Sequence, residues 1–178
     1  MTLFSGTVRR TRVGMKIFGF AGWSGSGKTT LIEHLIPRFV KRGLKVSLIK
    51  HAHHSFDVDH PGKDSYRHRE AGCNEVVVVS EKRWVIMHEL RGEPEPSLEE
   101  QIERVSPCDL LLVEGHKRYP LPKLEVWRRE NGKPLLHPED EHIVAIASDA
   151  ALETRLPRFD LNDHDGIENF ILSYNGFR

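Results

Sequence analysis

Residues 22–29 read Gly22-Trp23-Ser24-Gly25-Ser26-Gly27-Lys28-Thr29, a full match to G-x-x-x-x-G-K-[ST], with Thr30 following. Each residue type has a physical role in holding a phosphate chain. Glycines let the backbone curl so that its N–H groups face phosphate oxygens, and a helix starting there adds the positive end of its dipole. Lys28 is a compact cation able to reach the terminal phosphates, and the Thr29 hydroxyl is a Mg²⁺ ligand. Such a loop needs a second magnesium partner. "DLLLVEG" (109–115) supplies Glu114 at the C-terminal end of an apolar strand, where open parallel sheets place their ligands. A carboxylate there holds Mg²⁺ directly or through water and can orient an attacking water. A chance glycine turn and a strand-end acid are the plain alternatives. The apolar strand before the loop and the amphipathic helix after it favour the phosphate reading. A dinucleotide fingerprint is excluded, because Gly25-Ser26-Gly27 would need glycine at Thr30.

The second dense cluster is "KHAHHSFDVDHPGKDSYRHREAG" (50–72). It begins where a second strand ends, on the edge expected for the phosphate loop. Lys63 and Arg67 could cover phosphates, Asp57 or Asp59 could stand near the metal, and Asp64 lies among them. His51 and His53, two apart on an extended segment, point the same way, so with His54 they could also bind a transition metal. A solvated polar loop is the third reading. Farther on, "AIASD" ends with Ser148 and Asp149, and "DLND" carries Asn162 and Asp163. Acceptors here could meet N1–H and the exocyclic amine of guanine, although strand-end turn chemistry uses the same residues. The N-K-x-D guanine motif is absent.

The elements that must position these groups alternate. "KIFGFAG" (16–22), "KVSLIK" (45–50), "EVVVVS" (75–80), "RWVIMHE" (83–89), "DLLLVEG", "KLEVWR" (123–128), "HIVAIAS" (142–148) and "RFDLND" (158–163) read as strands. Helices are expected at about 28–42, 65–71, 97–105 and 166–174. In the third of these, Ser97 and Glu100 form a capping box. The pattern predicts an α/β fold of P-loop NTPase type, a mostly parallel sheet with helices on both faces. The pair at 75–89 and the segment 123–128 are expected as antiparallel edge strands.

The chain has 178 residues, enough for one α/β domain over 15–178 and short for two. Residues 1–14, with Arg9, Arg10 and Arg12 but no apolar run behind them, read as a flexible extension and not a secretory signal. The formal net charge is zero, so no global field draws the protein to nucleic acid or to an anionic membrane. Two cysteines, Cys73 and Cys108, without C-x-x-C spacing exclude a disulfide framework and fit a reducing cytoplasm. No segment reaches the roughly 18 apolar residues of a membrane span.

From Lys16 onward the chain resembles the MobB family of molybdopterin-guanine dinucleotide biosynthesis adapter proteins. The resemblance rests on "AGWSGSGKTTL", "LIKHAHHSFDVDHPGKDSYRHREAG", "DLLLVEGHK" and "HIVAIASD". The second stretch is long and idiosyncratic, and far more specific than the glycine loop. The resemblance implies a homodimeric P-loop GTPase that binds GTP with Mg²⁺ and hydrolyses it weakly. Its partner would be a MobA-type guanylyltransferase, which joins GMP from GTP to molybdopterin to give molybdopterin-guanine dinucleotide. On that basis residues 22–30 hold the phosphates, and Thr29 with Glu114 handles Mg²⁺. The histidine segment would lie near the γ-phosphate or a pterin phosphate. Two other functions fit the residues: a small-molecule P-loop kinase, and a metallochaperone GTPase using His51, His53 and His54.

Overall fold

The computed structural model describes residues 14–52 and 56–177. The expected extension lies outside them except for Gly14, as do His53 and His54. The described residues form two compact units, one up to His51 and from Val105 onward, the other Ala52–Arg104.

The first unit is built on six strands: β1 (Lys16–Ala21), β2 (Val46–Lys50), β5 (Leu110–Glu114), β6 (Lys123–Trp127), β7 (Ile143–Ser148) and β8 (Arg158–Asp160). They lie in the order β2-β5-β1-β6-β7-β8, and every pairing is parallel. Helix α1 (Lys28–Lys41) follows β1, and α4 (His164–Tyr174) closes the chain. The apolar spacing in α1 buries Leu31, Ile32, Leu35 and Phe39. These join Phe18, Phe20, Leu110, Leu112, Leu124, Ile167 and Ile171 in one core. The helix runs through Pro37 to Lys41, where an interruption was expected.

Segment 123–128 is the main departure from the sequence reading. An antiparallel edge was expected there, and K-L-E-V-W-R does alternate polar with apolar residues. It is instead the interior parallel strand β6, and both charged residues are buried, Lys123 at 1% exposure and Glu125 at 0%. Burial is tolerated because each charge is fully engaged. Lys123 Nζ donates to the carbonyls of Lys117 (2.9 Å) and Tyr119 (2.7 Å) and to Asp140 Oδ2 (2.7 Å). Glu125 accepts from the backbone N–H groups of Leu136 (2.6 Å) and His137 (3.0 Å). The long connection from β6 to β7 therefore covers this face of the sheet. That connection carries two 3₁₀ turns, Arg129–Asn131 and His137–Glu139.

The second unit holds α2 (Asp64–Glu70), β3 (Glu75–Val79), β4 (Trp84–His88) and α3 (Leu98–Arg104). Strands β3 and β4 pair antiparallel as expected, but in a two-stranded sheet of their own. Ser97 and Glu100 form the anticipated capping box, with Ser97 N–H donating to Glu100 Oε2 at 2.7 Å. The hairpin exposes Val77, Val79, Trp84 and Ile86, an apolar surface unusual for a lone two-stranded sheet. No helix among the described residues is long and apolar enough to cross a membrane.

Helices α1 and α4 are clamped by charge. Glu168, nearly buried, accepts from Arg38 (3.2 Å) and Arg42 (2.9 Å), and Arg38 also bonds Asp165. Beside this network the rings of His34 and His164 stack at 4.4 Å. The His164 pKa is lowered, first by desolvation and then by repulsion from His34 and Arg38, against weaker attraction from Asp165 and Asp163. The unfolded chain thus takes up a proton below about pH 6.5 that the folded state resists. The His164 contribution to stability is complete above that pH and disappears as pH falls through the depressed folded value. We predict that Tm declines between pH 7 and pH 5 and that His164→Gln makes the decline shallower. Identical slopes in the two proteins, measured by calorimetric melting, would show that the stacked pair does not titrate with folding.

Candidate functional site

The parallel register decides which side chains meet. Lys50 of β2 pairs with Glu114 of β5, and Glu114 with Phe20 of β1, so all three strands end at one level. Just beyond β1 the chain turns through residues 22–27 into α1. Gly22 has φ +149°, and a Cβ there would lie 2.4 Å from the Val126 carbonyl oxygen, so the turn excludes any side chain. Gly27, at φ +96°, caps α1 in a left-handed conformation that glycine adopts without strain.

Inside this loop the Lys28 ammonium donates to the carbonyls of Gly22 (3.0 Å) and Trp23 (2.9 Å). Its pKa is lowered. Burial is the largest cause, Glu114 opposes it, and repulsion from Lys117 and Lys50 adds to it. At the next residue, Thr29 Oγ1 donates to Glu114 Oε1 at 2.6 Å. Glu114 is buried with 5% exposure, so a carboxylate has been drawn into the sheet edge to meet that hydroxyl. Ser26 Oγ is also buried and has no hydrogen-bond partner among the described residues. A buried hydroxyl without a partner is costly in a folded protein, and a phosphate oxygen in the loop would satisfy it. The donor set therefore fits a phosphate chain, and a hydroxyl facing a carboxylate fits a hard divalent cation such as Mg²⁺.

Four side chains that frame the loop received no role from the sequence. Lys50 Nζ lies 3.3 Å from Thr29 Oγ1 and 3.4 Å from Glu114 Oε2. Lys117 Nζ sits 4.3 Å from the centre of the Trp23 ring, whose indole N–H donates to the Pro134 carbonyl (2.8 Å). Arg128 Nε donates to the Ser26 carbonyl (3.2 Å), and the Asn131 amide reaches the Ser24 carbonyl (3.5 Å). Strand order was the missing information. Arg128 stands one residue after β6, beside β1, which an edge placement of 123–128 conceals.

The remaining candidates are described unit by unit. His51 continues β2, its N–H donating to the Glu114 carbonyl (2.9 Å), and its ring lies 4.8 Å from that of His116. Asp57, Asp59, Lys63, Asp64 and Arg67 belong to the second unit. There Arg69 organises the acids, bonding Asp57 (2.9 Å) and Glu89 (2.6 Å) and lying 3.6 Å from Asp59. The Asp57 pKa is lowered by the Asp59 backbone N–H and then by Arg69. Asp64 accepts from the Ser65 N–H at the start of α2. Among the described residues no group of three or more His, Cys, Asp or Glu side chains could hold a metal ion. At the other end of the sheet edge, Asp149 accepts from the Arg129 N–H (2.9 Å) and Ser148 closes a turn onto Ala150 (3.0 Å). Both line an open hollow of about 320 Å³ with Arg158 and Asp160. Asp163 caps α4 through the Gly166 N–H (2.9 Å), and the Asn162 N–H donates to Asp160.

Known proteins resemble the chain in sequence and in fold. A family model described as molybdopterin guanine dinucleotide synthesis protein B, MobB, matches residues 17–149. The chain is 42% identical over 161 residues to the molybdopterin-guanine dinucleotide biosynthesis adapter protein of Escherichia coli (strain K12), covering 89% of this chain and 92% of that one. Its counterpart in Haemophilus influenzae is 43% identical over 171 residues, covering 91% and 93%. A crystal structure of molybdopterin-guanine biosynthesis protein B (mobB) aligns with a TM-score of 0.72 at 27% identity, over 90% of this chain and 99% of that chain. The MobB homolog from Bacillus stearothermophilus, at 23% identity, shares the fold, with a TM-score of 0.67 over 91% and 99%. The family match spans the glycine loop, Glu114 and Asp149 together, and the chain belongs to the MobB family.

Proposed function

We propose that this protein binds GTP with Mg²⁺ and serves as an adapter in molybdenum cofactor biosynthesis, assisting a MobA-type guanylyltransferase as it attaches GMP to molybdopterin. The observation that carries the reading is the 2.6 Å hydrogen bond from Thr29 to Glu114 at the mouth of the glycine loop. Residues 22–30 hold the phosphates, with Lys28 neutralising the terminal ones and the Ser26 hydroxyl donating to an oxygen. Thr29 and Glu114 hold Mg²⁺, which when bound spreads the charge of the phosphate oxygens. Ser148 and Asp149, beside their hollow, are the better placed of the base-reading candidates. Family membership supports the pathway. The exposed Val, Ile and Trp side chains of the β3–β4 hairpin support a homodimer, because such a surface is normally covered.

The site favours holding GTP over cleaving it. Lys28 and the Thr29–Glu114 pair bind and orient. Arg128, the arginine set against the loop, is bonded to the Ser26 carbonyl, and an arginine finger aimed at the terminal phosphates contributes roughly 10³–10⁵ in rate. Two outcomes follow for the isolated protein. Lys28→Ala weakens GTP binding by roughly a hundredfold or more, about 3 kcal/mol, because the phosphates lose a charge-assisted donor. Titration calorimetry reads this directly, and unchanged affinity would remove the basis of the phosphate assignment. Turnover of GTP stays below about 10⁻² s⁻¹. Fast phosphate release without a partner or acceptor would instead make the protein a GTPase in its own right.

A further inference from the structure

Lys50 ends β2 in direct register with Glu114, so the two side chains leave the sheet at the same level and on the same face. Its ammonium reaches both oxygens that the proposed function gives to the metal, Thr29 Oγ1 at 3.3 Å and Glu114 Oε2 at 3.4 Å. The Glu114 side chain is 7% exposed, whereas that of Lys50 is 50% exposed. A nearly buried carboxylate needs a nearby positive charge, and Lys28 is drawn back onto the Gly22 and Trp23 carbonyls. Lys50 meets that need. A divalent ion held by Thr29 and Glu114 would compete with the Lys50 ammonium for the same two side chains. The half-exposed four-carbon stem of Lys50 lets it move aside when the ion enters.

We propose that Lys50 is an internal substitute for Mg²⁺: it holds Thr29 and Glu114 together without the metal, and supplies the cation that a metal-free nucleotide meets in the loop. It is a positioning residue, and it lowers the coupling between metal and nucleotide. Without Lys50, metal-free GTP binds more weakly, and Mg²⁺ enters with no ammonium to displace. Both effects widen the gap between the affinities with and without metal. The inference rests on the reading of this site as a Mg²⁺–nucleotide site.

The test is GTP binding to the full chain by titration calorimetry, once in excess Mg²⁺ and once in a chelator, for wild type, Lys50→Met, Lys50→Gln and Lys50→Arg. The ratio of the two dissociation constants is expected to rise about tenfold in the Met and Gln variants and to stay near wild type in the Arg variant. A ratio within about twofold of wild type in Lys50→Met and Lys50→Gln, with GTP still bound, overturns this inference and leaves the proposed function standing. Failure of the wild-type protein to bind GTP in Mg²⁺ overturns both. Melting temperatures close to wild type for the variants confirm that the half-exposed site tolerates the changes.

Discussion

The contact between Thr29 and Glu114 is the constraint around which the first unit is arranged. Two residues 85 apart in sequence meet at 2.6 Å because β1 and β5 are adjacent, parallel and in fixed register. The glycine loop can start only where β1 ends, and Thr29 can face Glu114 only if α1 begins within the next turn. Gly22, pressed against the Val126 carbonyl, sets that geometry. The register of β5 against β2 then places Lys50 at the same point. A slip of one residue between β2 and β5 would turn the Lys50 ammonium to the face opposite the Glu114 carboxylate, and one between β1 and β5 would take that carboxylate away from the Thr29 hydroxyl.

Bringing these groups together has an electrostatic cost. Lys28 loses hydration and is repelled by Lys117 and Lys50, and Glu114 is nearly removed from water. A folded protein retains such a cluster where it meets a compensating ligand, and an anionic phosphate chain with a divalent ion has the required charges. The surroundings are stiffened to match. Beneath the loop, Lys123 and Glu125 of β6 are locked into the connection that covers the sheet, through Asp140 and the backbone of residues 136–137. On the opposite face, Arg38 and Arg42 tie α1 to Glu168 of α4. The helix that presents Lys28 and Thr29 is thus held at its far end by a separate network.

Much of this was legible before the structure. The glycine loop, the helix after it and Glu114 follow from residue types whose spacing has a direct mechanical meaning, and strand-end placement comes from parallel-sheet logic. Segment 123–128 was misplaced, and its residue types do not reveal the interior position, since Lys123 and Glu125 are of the kinds usually solvated. Only tertiary partners such as Asp140 and the N–H groups of Leu136 and His137 make their burial tolerable. The framing residues Lys50, Lys117 and Arg128 were missed for a related reason. Their role depends on which strands are neighbours, and no local pattern encodes that. Asp57 and Asp59 were expected near the metal by residue type alone, and the ion pairs that gather them onto Arg69, twelve residues from Asp57, are not written in any local pattern.

The account is tested most directly by a crystal structure of the protein with a non-hydrolysable GTP analogue and Mg²⁺. It predicts the phosphate chain within the curl of residues 22–29, the metal about 2.1 Å from Thr29 Oγ1, and Glu114 bound to it directly or through one water. The direct bond between Thr29 and Glu114 would be replaced by the ion. Nucleotide bound away from the glycine loop, with the Thr29–Glu114 hydrogen bond intact, would contradict it.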